Sequence, residues 1–95
     1  MISIRYNKKA KDDLENIYLT IRKDKKSVAD EFIGKIDEYI LLLSSNPKMG
    51  KECRYKGLKQ DCRVLFFKSY MIVYGLYKTH ISIKRIINTK QNYKG

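Results

Sequence analysis

The sequence predicts an α+β domain, and three observations carry that reading. Apolar residues recur at helical spacing between Ala10 and Leu43. Ser44-Ser45-Asn46-Pro47 and then Gly50 break the pattern. Beyond Gly50 the period falls to two, in runs rich in β-branched and aromatic residues. The expected architecture is an N-terminal strand with an antiparallel α-hairpin packed on about three or four further strands, mainly antiparallel. A chain of 95 residues forms a single domain over residues 1–95, burying only about 60–65% of its unfolded surface.

The first strand is read from Ile2, Ile4 and Tyr6 alternating with Ser3 and Arg5. Asn7 can then cap a helix, because its side-chain oxygen accepts from early amides that lack a partner. Ala10, Leu14, Ile17, Tyr18 and Ile21 give that helix one apolar stripe. Asp12, Asp13 and Glu15 near its start and Arg22 and Lys23 near its end suit the helix dipole. A tight link, Asp24 to Ser27, precedes a second helix, for which Ser27 and Asp30 resemble a capping box. Ala29, Phe32, Ile33, Ile36, Ile40 and Leu43 line its apolar face, and Pro47 disfavours helix just before it. So short a link predicts an antiparallel hairpin.

The second half reads as strands. Glu52 to Tyr55 gives a short one, Cys62 to Phe67 a better one, and Met71 to Tyr77 and Ile81 to Ile87 the strongest. Lys68-Ser69 and Lys78-Thr79-His80 are short enough for hairpin links, so the last three strands should form a meander. Tyr74 and one of Phe66 and Phe67 are expected in the core, since adjacent strand residues face opposite ways.

Composition narrows the function. The N-terminus meets charge at Arg5, too early for a signal-peptide apolar region, and the apolar run Tyr39 to Leu43 is too short to span a bilayer. A cytoplasmic protein with no membrane association is expected. Cys53 and Cys62 are then expected to be reduced, with structural or incidental roles. With His80 the lone histidine and no paired ligand spacing, neither a metal site nor a cofactor is expected. The net charge of +11 is uneven. Residues 1–45 hold nine Lys/Arg against eight Asp/Glu, whereas residues 46–95 hold twelve against Glu52 and Asp61 alone. A field of one sign attracts a polyanion or an acidic protein.

Several fragments, in order, resemble the ParE/RelE toxin superfamily. They begin with Ala10-Lys11-Asp12-Asp13-Leu14 followed by Ile17, then Ala29, Phe32 and Ile36, then Leu43 and Asn46-Pro47-x-x-Gly50. Gly57-Leu58, Arg63, Tyr70-x-Ile72-x-Tyr74, Ile81-x-Ile83-x-Arg85-Ile86 and a basic tail complete the series. Ser69-Tyr70, Arg85-Ile86 and Tyr93 resemble the ParE-like branch, while Asn88 and Lys90-Gln91-Asn92 depart from its usual His and Arg-Arg-Asp. The resemblance implies the toxin of a type II toxin–antitoxin system, as in plasmid stabilization, held by an acidic ParD-like or RelB-like antitoxin. A ParE-like toxin would inhibit DNA gyrase by binding. The alternative is a RelE-like ribosome-dependent endoribonuclease acting on messenger RNA.

Arg85 is the sharpest site candidate. Strict alternation gives it the parity of Ile81, Ile83 and Ile87, and a charge among such apolar strand positions must find a partner or reach solvent. It could bind a phosphate or an acidic group, or pair with a helix carboxylate such as Asp13. Arg63, Lys56 and Lys59 form a basic patch that could contact phosphates. Target binding is assigned to Arg63, Arg85, Lys90, Tyr93 and Lys94, the last three within the tail Thr89–Gly95. Catalytic residues are not assigned on the ParE-like reading; on the RelE-like alternative they would be Arg63, Arg85 and Tyr93. Carboxylates and histidines suited to proton transfer are scarce in the basic half: Glu52, Asp61 and a turn-placed His80.

Overall fold

The computed structural model describes residues 1–53 and 61–90. Strand β1 (Ser3–Tyr6) leads into helix α1 (Lys8–Arg22), helix α2 (Lys26–Leu41) and a 3₁₀ turn (Leu42–Ser44). Strands β2 (Lys51–Glu52), β3 (Asp61–Phe67), β4 (Tyr70–Leu76) and β5 (His80–Asn88) follow. One sheet has the order β1-β5-β4-β3-β2. The meander β3-β4-β5 is antiparallel, and β1 joins parallel to β5, Ile4 lying beside Ile81. The expected α+β architecture is therefore present, with the N-terminal strand as the fifth member of the sheet. None of the described helices is long and apolar enough to cross a membrane.

Local chemistry explains the helix boundaries. Asn7 caps α1, its Oδ1 accepting from the Ala10 amide at 3.0 Å. The capping box expected at α2 is not formed. Lys25 is the N-cap and makes no side-chain cap bond. Asp30 instead accepts from the Tyr18 hydroxyl at 2.8 Å and pairs with Lys26 Nζ at 3.0 Å. Both bonds favour its charged form and hold its pKa below the usual carboxylate value. The carboxylate thus ties the two helices together rather than closing the start of one.

The core lies between the hairpin and one face of the sheet. Ala10 and Ile17 from α1 meet Ile36, Ile40 and Leu43, and Leu65, Ile72, Tyr74, Ile81, Ile83 and Ile86 from the strands. Phe67 packs against this cluster, while Phe66 is 53% exposed. The strict alternation read along β5 does not survive. A register shift between Val73 and Tyr74 makes Val73 face Arg85 and Tyr74 face Ile83, so Lys84 is an extra residue. Ile86 is buried in place of Ile87, and Arg85 leaves the core face.

Tyr74 is fully buried, yet its hydroxyl is satisfied. It donates to the Pro47 carbonyl at 2.8 Å and accepts from the Gly50 amide at 2.9 Å. The turn after α2 is thereby pinned to the middle of the sheet, which gives Asn46-Pro47-x-x-Gly50 its physical meaning. A Cβ at Gly50 would sit 2.8 Å from the Tyr74 ring and from the Val64 carbonyl oxygen. Gly50→Ala should therefore cost about 2 kcal/mol through overpacking, lowering the midpoint of a thermal melt by roughly 10 °C.

The expectation of two reduced thiols is corrected. Cys53 and Cys62 are joined by a disulfide, with Cα atoms 5.3 Å apart. Strand pairing is the reason. Glu52 lies opposite Arg63, and the Cys53 amide donates to the Cys62 carbonyl at 2.8 Å, so the two side chains leave neighbouring strands side by side. Spacing alone, nine residues apart, did not reveal this.

Candidate partner-binding face

The hairpin covers one face of the sheet; among the described residues no helix covers the other. Register builds that open face row by row, because residues directly opposite in a sheet share a side. One row runs Lys51, Val64, Val73, Arg85. The next runs Phe66, Met71, Ile87. A third runs Cys62, Gly75, Ser82, Arg5. Val64, Met71, Val73 and Ile87 are half-buried and Phe66 is exposed, a strip of five apolar side chains outside the core. Lys84 adds charge here, its ammonium lying 5.7 Å from the Tyr77 ring centroid. The surface is thus an apolar strip edged by Arg5, Lys51, Lys84 and Arg85, suited to an amphipathic acidic partner.

Arg85 resolves both alternatives posed for it in favour of a helix carboxylate. Its Nε and Nη2 donate to Asp13 at 2.8 and 3.1 Å, a bidentate fork. The Asp13 hydrogen bond is the main reason that the Arg85 pKa is raised. Asp13 also accepts from the Ile86 amide at 2.9 Å. The carboxylate so occupies the edge of β5 beyond the reach of β1, where a backbone donor would otherwise lie open. A cleft of about 240 Å³ lies beside this pair, lined by Asn16 and Thr20 of α1 and by Tyr70 and Asn88. Partial burial raises the pKa of Tyr70. Arg85 remains nearly half exposed, which leaves its guanidinium accessible to a partner.

Arg63 is placed differently from a surface contact. It is 8% exposed and points to the core side of the sheet with Tyr74, its register partner. Nη1 donates to the carbonyls of Gly50 at 2.8 Å and Lys48 at 3.4 Å, and Nη2 reaches Glu52 at 3.3 Å. The guanidinium fills the bend between the 3₁₀ turn and β2. This role was missed from the sequence, although Arg63 shares the period-two parity of Leu65 and Phe67, both packed in or against the core.

Of the remaining candidates, the described ones, His80 and Lys90, lie at the two ends of β5. Lys90 lies exposed just past β5, its amide donating to Asn88 Oδ1 at 2.8 Å. His80 opens β5 and stacks on Tyr77, ring centroids 4.9 Å apart. Lys56, Lys59, Tyr93 and Lys94 lie outside the described residues, as does the end of the strand expected over Glu52 to Tyr55. Among the described residues no cluster of His, Cys, Asp and Glu could hold a metal ion.

Comparison with known proteins agrees with this geometry. No curated protein matches the chain. In solved structures, the chain is similar to a component of the chromosomal ParDE TA system from P. aeruginosa, with TM-score 0.79 and 22% identity. That match covers 95% of this chain and 98% of the other, and it establishes the shared fold. The family model for the ParE toxin of the type II toxin–antitoxin system, parDE, matches residues 4–93. With nearly the whole chain matched, from β1 through the basic tail, the protein belongs to the ParE toxin family of type II toxin–antitoxin systems.

Proposed function

We propose that this toxin inhibits DNA gyrase by binding, without chemistry on a nucleic acid, and that an acidic antitoxin neutralises it. The observation that carries the reading is the commitment of Asp13, Glu52 and His80 to structural tasks. Asp13 is locked to Arg85 and the Ile86 amide, and Glu52 is paired with Arg63. His80 is stacked on Tyr77, with Nδ1 3.0 Å from the Thr79 hydroxyl. Metal-independent RNA cleavage needs a proton acceptor and a donor converging on one phosphate, and these groups lie on separate elements, α1, β2 and the start of β5. Binding needs only a shaped, charged surface. Arg85 and Lys90, with Tyr93 and Lys94 of the tail, supply charge and an aromatic contact for the target.

The antitoxin reading rests on the open sheet face. Its apolar strip and basic margin complement an acidic amphipathic segment, and a ParD-like partner of that chemistry fits a chain whose second half is so one-sided in charge. A partner that binds only the folded toxin raises its melting temperature by mass action.

The deciding experiment runs two assays on the same purified toxin. DNA supercoiling by gyrase should be blocked, or cleaved DNA trapped, while messenger RNA on translating ribosomes stays intact. Codon-positioned cleavage in the ribosomal A site with normal supercoiling would replace this reading with the RelE-like endoribonuclease.

A further inference from the structure

We propose that the Cys53–Cys62 disulfide is a reversible redox clasp, opened by a dithiol reductant, that sets how firmly β2 and the turn before it are held on the sheet. The argument starts from the weakness of β2 itself. The strand has two residues and lies at the sheet edge, pairing Lys51 with Val64 and Glu52 with Arg63 before the Cys53–Cys62 backbone bond. So short a ladder has little stability of its own. The disulfide is attached immediately after it and fastens it covalently to β3.

What the clasp holds is more than the strand. Arg63 draws its acceptors from this segment: the Lys48 and Gly50 carbonyls and the Glu52 carboxylate. Tyr74 binds Pro47 and Gly50 of the same stretch. Asn46, Pro47, Lys48 and Met49 in turn form one wall of an open, mostly apolar groove whose other wall is Leu76 and Tyr77. Two buried polar side chains therefore depend on a segment whose far end is anchored by one covalent bond. Opening the bond leaves the segment to non-covalent contacts alone: the two-residue ladder, the Cys53–Cys62 backbone bond and the hydrogen bonds of Arg63 and Tyr74.

The chemistry is that of thiol–disulfide exchange. A thiolate of the reductant attacks one sulfur, the Cys53–Cys62 bond breaks, and the displaced thiolate takes a proton. The second reductant thiol then attacks the mixed disulfide, releasing the other cysteine as a thiol and the reductant as its own disulfide. Two electrons pass from reductant to protein. Both cysteines are half-buried rather than enclosed in the core. The backbone bond from Cys53 to Cys62 keeps the thiols adjacent after reduction, which makes reoxidation an intramolecular step.

The test equilibrates the full chain in mixtures of oxidised and reduced dithiothreitol graded from oxidising to reducing, then traps free thiols with a maleimide under denaturing conditions for intact-mass measurement. Two thiols should appear together across the series and vanish again on return to oxidised buffer. Reduction should lower the melting midpoint by roughly 10 °C, the scale expected for releasing a short closed loop. Hydrogen exchange at the Gly50 amide should rise at least tenfold. The C53S/C62S double variant should match the reduced wild type and ignore reductant; should it fail to fold, reduction of the wild type carries the comparison alone. Double labelling in oxidised buffer would sink the proposal. So would a bond that persists in the most reducing buffer, or reduction that leaves both the melt and the Gly50 exchange unchanged.

Discussion

A toxin truncated after Thr89 should lose at least tenfold in gyrase inhibition, about 1.4 kcal/mol of binding, while keeping its fold and its antitoxin. The cut is placed by the structure. Thr89 belongs to the sheet: its amide and its hydroxyl both donate to the Ser69 carbonyl, at 2.7 and 2.8 Å, closing the end of the β4-β5 ladder. Removing residues 90–95 takes away Lys90, Tyr93 and Lys94 and leaves every named core and open-face residue in the chain. Thermal melts of the truncated chain should stay within a few degrees of the parent, and antitoxin affinity should change less than threefold, on the order of 0.6 kcal/mol. The assays are supercoiling inhibition and titration calorimetry with the cognate antitoxin. Full inhibition by the truncated toxin would move the target contact onto the sheet itself, with Arg85 the first residue to replace.

Arg63→Met should cost about 3 kcal/mol of folding stability, read as a shift of the urea midpoint. Methionine matches the length of the stem but cannot donate. The Gly50 carbonyl then loses a 2.8 Å charge-assisted bond in a buried site, and Lys48 loses a longer one. Little of the effect should come from Glu52, whose side chain is 75% exposed; ion pairs open to solvent contribute at most about 1 kcal/mol. Glu52→Gln should accordingly change stability by less than about 1 kcal/mol. If the two substitutions proved equally costly, the carboxylate rather than the turn would be the partner that matters. For a small domain stable by roughly 5–15 kcal/mol, the loss at Arg63 is a large fraction of the total.

The architecture was legible in the sequence where one period ruled a segment. The helix stripes, the Asn7 cap and the meander all follow from local patterns. The failures arose where a tertiary contact overrode the local pattern. Asp30 was read as closing its own helix, but α1 offers it a tyrosine hydroxyl from across the hairpin. Parity along β5 put Ile87 inward, and a single extra residue opposite the Val73–Tyr74 step brought in Ile86 instead. The Arg85–Asp13 pair was readable as one of two alternatives, since a charge among apolar strand positions demands a partner. Arg63 was read as a surface cation because the sequence gives no account of main-chain acceptors. Two carbonyls and a carboxylate, eleven to fifteen residues away in the chain, are invisible until the fold presents them. The disulfide escaped for the same reason, as pairing of β2 with β3 fixes it and cysteine spacing does not.

The parallel pairing of β1 with β5 sets the order in which the molecule can be completed during synthesis. Ser3 to Tyr6 are synthesised more than seventy residues before their partners His80 to Ile83. Hairpin contacts between α1 and α2 are local and can form early, but the strand that precedes them must wait for nearly the entire chain. An unfinished chain therefore carries β1 with its apolar Ile4 unpaired, and Asp13 has neither Arg85 nor the Ile86 amide to hold. The last long-range step joins the two ends of the polypeptide, and with it the basic edge of the sheet takes its final form. A premature stop codon anywhere before β5 therefore yields a product in which β1 has no strand to pair with and the sheet cannot close.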